Sequence, residues 1–236
     1  MPALLVLDTS TERLHLGLSL AGRYWVAVED GGARASSTLL PAASALMRQA
    51  GADWRDLDVI AFGRGPGAFT GLRTACAAAQ GLALGLSRRA LPVDTLMAVA
   101  ESARLRGGGH DQWVAMDARM GEVYAAHYRH TAGRWHTVVA PGLWAPTDLV
   151  AQWRARPPAC VAGSAVAAFG ATLVTDAQAA MADAAPDGAA LLATALQAWQ
   201  DGAACDAAHA LPLYLRDRVA LTTAERASLR AGGTGG

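Results

Sequence analysis

The sequence contains no lysine: all twenty basic residues are arginine, and twenty acids balance them to a formal net charge of zero. Without lysine there is no P-loop amine for a phosphate, no Schiff-base nucleophile and no Ser-Lys dyad. Zero net charge argues against holding a nucleic acid by phosphate contacts alone, which needs clustered positive charge, so RNA is expected to be reached only through a partner. Cysteine is scarce. Cys76, Cys160 and Cys205 lie far apart with no C-x-x-C pair, so neither a disulfide frame nor a zinc site is implied and a reducing, cytoplasmic setting is expected. Long hydrophobic runs are also missing: Arg73 and Gln80 interrupt the most apolar stretch, residues 68–86, and no membrane partner is expected. The opening "MPALLVLDTSTERL" has no basic n-region and turns polar at Asp8, so it does not read as a signal peptide.

What is present is an apolar chain, 53% hydrophobic and 17% charged over 236 residues, long enough for one large or two small globular domains. Only the ending has nothing to bury, and 222–236 is expected to be a disordered tail. "ALLVLD", "LHLGLSL" and "RYWVAVED" read as three antiparallel strands, with "AG" as a tight hairpin turn between the last two. "SSTLLPAASALMRQAG" carries Leu39, Leu40, Ala43, Leu46 and Met47 at helical spacing and stops at Gly51. A strand "DVIAFG", a helix over 70–88, a strand "ALPVD" and a helix "TLMAVAESARL" complete a βββαβαβα order. After the linker "RGGGHDQ" come "WVAMDA", "EVYAAHYR" and "RWHTVVA" as strands, "LWAPTDLVAQW" as a helix, "ACVAG" as a strand, and helices near 164–171 and 188–201. This reads as a worn second copy of the first plan, giving two α/β lobes over 1–106 and 107–221.

The segment "GRGPGAFTGLRTACAAAQGLALGL" carries the most information. A P-loop would need the missing lysine. A dinucleotide fingerprint is formally satisfied by Gly63, Gly65 and Ala68, with Asp94 as the ribose acid, but Pro66 removes a backbone donor and a three-strand meander precedes it. In the third reading Gly63, Gly65, Pro66, Gly67 and Gly71 form a structural turn, Thr70 caps the helix, and Ala77, Gly81 and Gly85 recur every fourth residue. A helix apolar all round must be covered on both sides. The residues leave two covers open: the rest of this chain, or a helix of another chain drawn close by the small side chains.

Five segments in order, "LLVLDTSTERLHLGL", "SSTLLPAASALM", the glycine segment, "MDARMGEVYAAHY" and "LPLYLRDRVAL", resemble the TsaB (YeaZ) family of bacterial tRNA threonylcarbamoyladenosine formation. The resemblance covers nearly all of the chain to about residue 221. It implies an actin-like ATPase (ribonuclease H-like) fold of two βββαβαβα-type lobes, the second reduced. It further implies a non-catalytic subunit, without cofactor or metal, that docks on TsaD and works with the ATPase TsaE in threonylcarbamoyl transfer to an adenosine beside the tRNA anticodon. The implied partner interface is Leu39, Leu40, Ala43 and Met47 of the first helix (36–50) with Thr70, Arg73, Ala77, Gln80, Gly81 and Gly85 of the helix at 70–86, a face expected to form homodimers when the partner is absent.

Three departures bear on catalysis. Active members of the superfamily follow the first-hairpin acid with Gly-Thr or Gly-Ser, so that backbone donors reach phosphate; here Asp8 and Thr9 are followed by Ser10. The H-x-x-x-H metal pair that the resemblance associates with TsaD is missing from the six histidines, and Ala35 and Ser36 stand where many TsaB members carry a histidine. His127 and His130, three apart on a strand, are expected on opposite faces. Asp117, Arg119 and Glu122 read as a charged turn rather than a catalytic cluster. The rival readings are an ATP-dependent kinase-like enzyme of the same fold and an NAD-binding enzyme using residues 63–68.

Overall fold

A computed structural model describes residues 1–173 and 179–216. The tail expected at 222–236 and the end of "LPLYLRDRVAL" lie outside the described residues. The first half runs β1 (Leu4–Asp8), β2 (Arg13–Leu20), β3 (Arg23–Asp30), α1 (Ala35–Ala50), β4 (Val59–Gly65), α2 (Phe69–Gly85), β5 (Arg89–Asp94) and α3 (Thr95–Leu105). Ala21 and Gly22 turn between β2 and β3 with φ of 48° and 76°, the left-handed pair that matches the twist of a hairpin. The second half repeats the order: β6 (Asp111–Asp117), β7 (Val123–Thr131), β8 (Arg134–Trp144), α4 (Pro146–Ala155), β9 (Cys160–Ala162), α5 (Ala165–Phe169), β10 (Ala179–Met181) and α6 (Gly188–Gln200).

The sheets are ordered β3-β2-β1-β4-β5 and β8-β7-β6-β9-β10, the same plan laid down twice. This is the α/β, actin-like architecture that the resemblance implied. The second copy is the thinner: β9 and β10 have three residues each, against seven and six in β4 and β5. Two local expectations change. Leu143 and Trp144, read as helical, end β8, and α4 starts on Pro146, whose fixed φ and missing N–H suit a first helical position. β10 went unread because "AAM" carries neither alternation nor β-branched residues.

β1 is buried on both faces. Leu5 and Leu7 join Leu14, Leu16, Ile60 and Phe62 under α1 and α2, while Leu4 and Val6 join Val59, Ala61, Leu91 and Val93 on the other face. That second face is covered by Leu191, Leu192 and Ala195 of α6, the last helix of the second copy. Conversely α3, the last helix of the first copy, sets Leu96, Val99, Ala100 and Ala103 against Val114, Ala126, Tyr128 and Trp135 of the second sheet. Polar contacts reinforce the exchange. Asp94 caps α3 through the amides of Leu96 (3.0 Å) and Met97 (3.3 Å), and its other oxygen accepts from the Tyr128 hydroxyl at 2.8 Å. Buried Glu101 accepts from Arg104 and from the Trp135 indole at 2.9 Å.

Beyond α6 the chain returns along the first lobe. Ala90 and Cys205 exchange backbone bonds of 3.0 and 2.8 Å, the Leu213 amide donates to the Arg64 carbonyl at 2.7 Å, and Arg216 then reaches the Ala118 carbonyl of the second lobe at 3.1 Å.

Candidate functional site

The glycines at 63–71 let α2 and β4 lie directly on the β1–β2 hairpin. A Cβ on Gly63 would overlap the Asp8 carboxylate, one on Gly67 would come within 2.6 Å of the Ser10 carbonyl oxygen, and one on Gly71 would overlap the Thr9 carbonyl. The Ala68 amide donates to Ser10 O at 2.8 Å and the Thr9 hydroxyl to Gly71 O at 2.6 Å, closing the contact from both sides. Gly65 sits at φ +102°, a conformation that side chains rarely adopt. The loop is therefore a close-packing device, as in the structural reading. The donors beneath it point inward: the Ser10 amide (2.9 Å) and hydroxyl (2.6 Å) of the hairpin both donate to Asp8 Oδ1, Thr95 Oγ1 of α3 donates to Oδ2 at 3.2 Å, and the loop's own Gly65 amide donates to Thr95 Oγ1 at 3.1 Å. Asp94, the acid a dinucleotide site would need for ribose, has both oxygens engaged in the cap and in Tyr128.

Burial raises the pKa of Asp8 despite the opposing bonds from Ser10 and Thr95, and it lowers that of His15, its cross-strand neighbour, against the field of Asp8. A group whose folded pKa lies above its unfolded value contributes stability that is full below the unfolded pKa, about 4 for Asp, and is lost as pH rises through the folded value. Asp8→Asn keeps the shape and removes the titration. Urea unfolding from about pH 4 to neutrality should show wild type losing stability relative to Asp8→Asn as pH rises; parallel curves would contradict this account of Asp8.

The expected interface residues divide. On α1, Leu39, Ala43 and Met47 are buried in the first core and present no surface, while Leu40 is 46% exposed. An apolar residue at every fourth position faces the helix's own sheet, so the stripe that marks α1 as helical is its core face. On α2, Thr70, Arg73, Ala77, Gly81 and Gly85 are exposed, and Leu84, unread in the sequence, is 76% exposed on the same side. Nothing lies within 4 Å of a Cβ built on Gly81 or Gly85, so this face is open. Thr70 is not the cap: Ala68 holds that position and Thr70 lies in the first turn, its carbonyl taking the Thr74 hydroxyl at 3.0 Å. Gln80 turns inward and donates to Ala210 O at 2.9 Å. Arg73 lies 3.8 Å over the Phe69 ring and donates to the Tyr214 hydroxyl at 3.1 Å. Both polar residues thus hold the returning C-terminal segment, a role set by partners 130 and 141 residues away.

Asp117 and Arg119 pair across the β6–β7 turn at 3.6 Å, as the charged-turn reading expected. His127 stacks on Trp113 and bonds Asp111, while His130 faces His110 and Trp135, so the two histidines do lie on opposite faces. A cleft of about 550 Å³ separates the lobes, with Ser10, Thr95 and Leu72 on one wall and Met116, Asp117 and Ser164 on the other. Among the described residues no group of three His, Cys, Asp or Glu is placed to hold a metal, and no helix is long and apolar enough to cross a membrane.

Residues 31–223 match the family model described as TsaD, tRNA N6-adenosine threonylcarbamoyltransferase. The tRNA threonylcarbamoyladenosine biosynthesis protein TsaB of Escherichia coli is 32% identical over 92% of this chain and 96% of its own length. The chain belongs to the TsaB (YeaZ) family. Two solved structures from Pseudomonas aeruginosa agree: YeaZ, 35% identical with a TM-score of 0.84 over 91% of this chain and 100% of that one, and a protein described as similar to peptidase YEAZ, 35% identical with a TM-score of 0.85 over 92% and 100%. The six histidines of the sequence contain no H-x-x-x-H spacing.

Proposed function

We propose that this chain is a non-catalytic partner subunit in tRNA threonylcarbamoyladenosine formation, docking on a TsaD-type subunit through the outward face of α2, with a TsaE-type ATPase in the same complex. The observation that carries the reading is the open strip Ala77, Gly81 and Gly85 beside exposed Leu84, where a helix of another chain can approach backbone to backbone. Leu40, on the solvent side of the neighbouring α1, is a second exposed apolar side chain in the same lobe. Alone, the chain covers this face with a second copy, because an isologous contact solves the same burial problem. tRNA is met only through the complex, in keeping with zero net charge.

Catalytic alternatives fare worse on the same residues. Ser10 directs its amide and hydroxyl to Asp8, so the first hairpin offers a phosphate no donor from that residue. Ser164 accepts from the Asp117 amide at 3.0 Å and its hydroxyl contacts the Met116 sulfur at 3.8 Å, which is not the environment of an activated nucleophile. The immobilised chain should retain its cognate TsaD-type subunit, and calorimetry with Mg-ATP on the isolated chain should give no saturable heat. Saturable micromolar ATP binding with no capture of the partner would favour the kinase-like reading instead.

A further inference from the structure

His110 and His130 form a pair that neither histidine's local sequence announces. β6 and β7 pair in antiparallel register with Asp111 opposite Arg129, and His110 and His130 continue that ladder by one step, the His130 amide donating to His110 O at 2.7 Å. Directly opposed residues point to the same side of the sheet. The two rings accordingly stack with centroids 5.3 Å apart, and their Nδ1 atoms come to 3.2 Å. The edge-to-face contact of His130 with Trp135, at 5.1 Å, fixes one ring from behind.

Two neutral imidazoles can share one Nδ1–H at this distance, but the same geometry is a ready chelate. With metal–nitrogen bonds of about 2.0–2.1 Å, nitrogens 3.2 Å apart subtend an angle of about 100° at the ion, near tetrahedral. We propose that His110 and His130 form a cross-strand two-imidazole site for a first-row divalent cation such as Zn²⁺, with water filling the remaining positions. On binding, each ring presents its Nδ1 lone pair to the ion and carries its proton on Nε2; the ring that donated gives up its Nδ1 proton to solvent and takes one at Nε2, a change of tautomer with no net change in charge. His110 is exposed, which leaves room for the water ligands, and it directly follows the Gly107–Gly109 linker between α3 and β6. A bound ion would therefore pin the entry of the second sheet.

The test is calorimetric titration of the chelator-stripped full chain with ZnCl₂, beside His110→Asn, His130→Asn and, as a control, His136→Asn on the adjacent strand. One saturable site is expected in wild type and in His136→Asn, weakened about tenfold or more in each of the other two. Circular dichroism checks the fold; His110→Asn, at an exposed position, carries the test if His130→Asn is unstable. No saturable binding in wild type, or undiminished binding in His110→Asn, would overturn the proposal; the latter would place the ion elsewhere, for instance at half-buried Cys205.

Discussion

Gly71→Ala should cost the fold about 3 kcal/mol or more, enough to remove much of the stability of an ordinary domain. The new Cβ would enter the space of the Thr9 carbonyl oxygen, while the Thr9 hydroxyl already holds the Gly71 carbonyl at 2.6 Å. Both parties are backbone and no rotamer relieves them. α2 must therefore lift off the hairpin and withdraw Leu72, Ala75 and Cys76 from buried positions. Ten residues along the same helix, Gly81→Ala should do the opposite. Its Cβ meets nothing within 4 Å and its φ is not left-handed, so the better helix former should stabilise by about 0.5–1 kcal/mol. Urea unfolding of the two variants gives opposite signs if the loop glycines serve close approach and the helix glycines serve an open face. Equal effects would show that this distinction is wrong.

Much of this was legible locally. Strand alternation, the Ala21–Gly22 turn and the twice-repeated element order follow from periods of two and 3.6 with punctuating glycines. The four-residue recurrence of Ala77, Gly81 and Gly85 marked the strip that proves to be open, and Leu84 was missed only because apolar residues occur all round α2. What failed was non-local. Gln80 reads as an interface residue until Ala210, 130 positions on, takes its amide. Leu39, Ala43 and Met47 were assigned to the interface through the resemblance, although their spacing is equally that of a core stripe, and burial decides for the core. Chain order does not carry which sheet a helix covers, so the exchange of α3 and α6 between the two sheets had no signal in the sequence. The glycine loop was recognised as a turn, but its contacts with Asp8, Thr9 and Ser10 lie more than fifty residues away.

The docking face itself is tested by Gly81→Arg. In the isolated chain the arginine points into open solvent from an exposed helical position, where it is a better helix former than glycine by about 0.5–1 kcal/mol, so the variant should fold. In a complex that brings another helix against Ala77, Gly81 and Gly85, the same side chain would stand between two backbones. The helices must separate or the charge must be buried without a partner, a loss of about 2.7 kcal/mol or more, equivalent to about a hundredfold in affinity. The decisive measurement is the affinity of Gly81→Arg for the cognate TsaD-type subunit beside wild type, with circular dichroism to confirm equal folding. The expected result is a folded variant that no longer captures the partner; a folded variant that binds it with wild-type affinity would contradict docking through this face of α2.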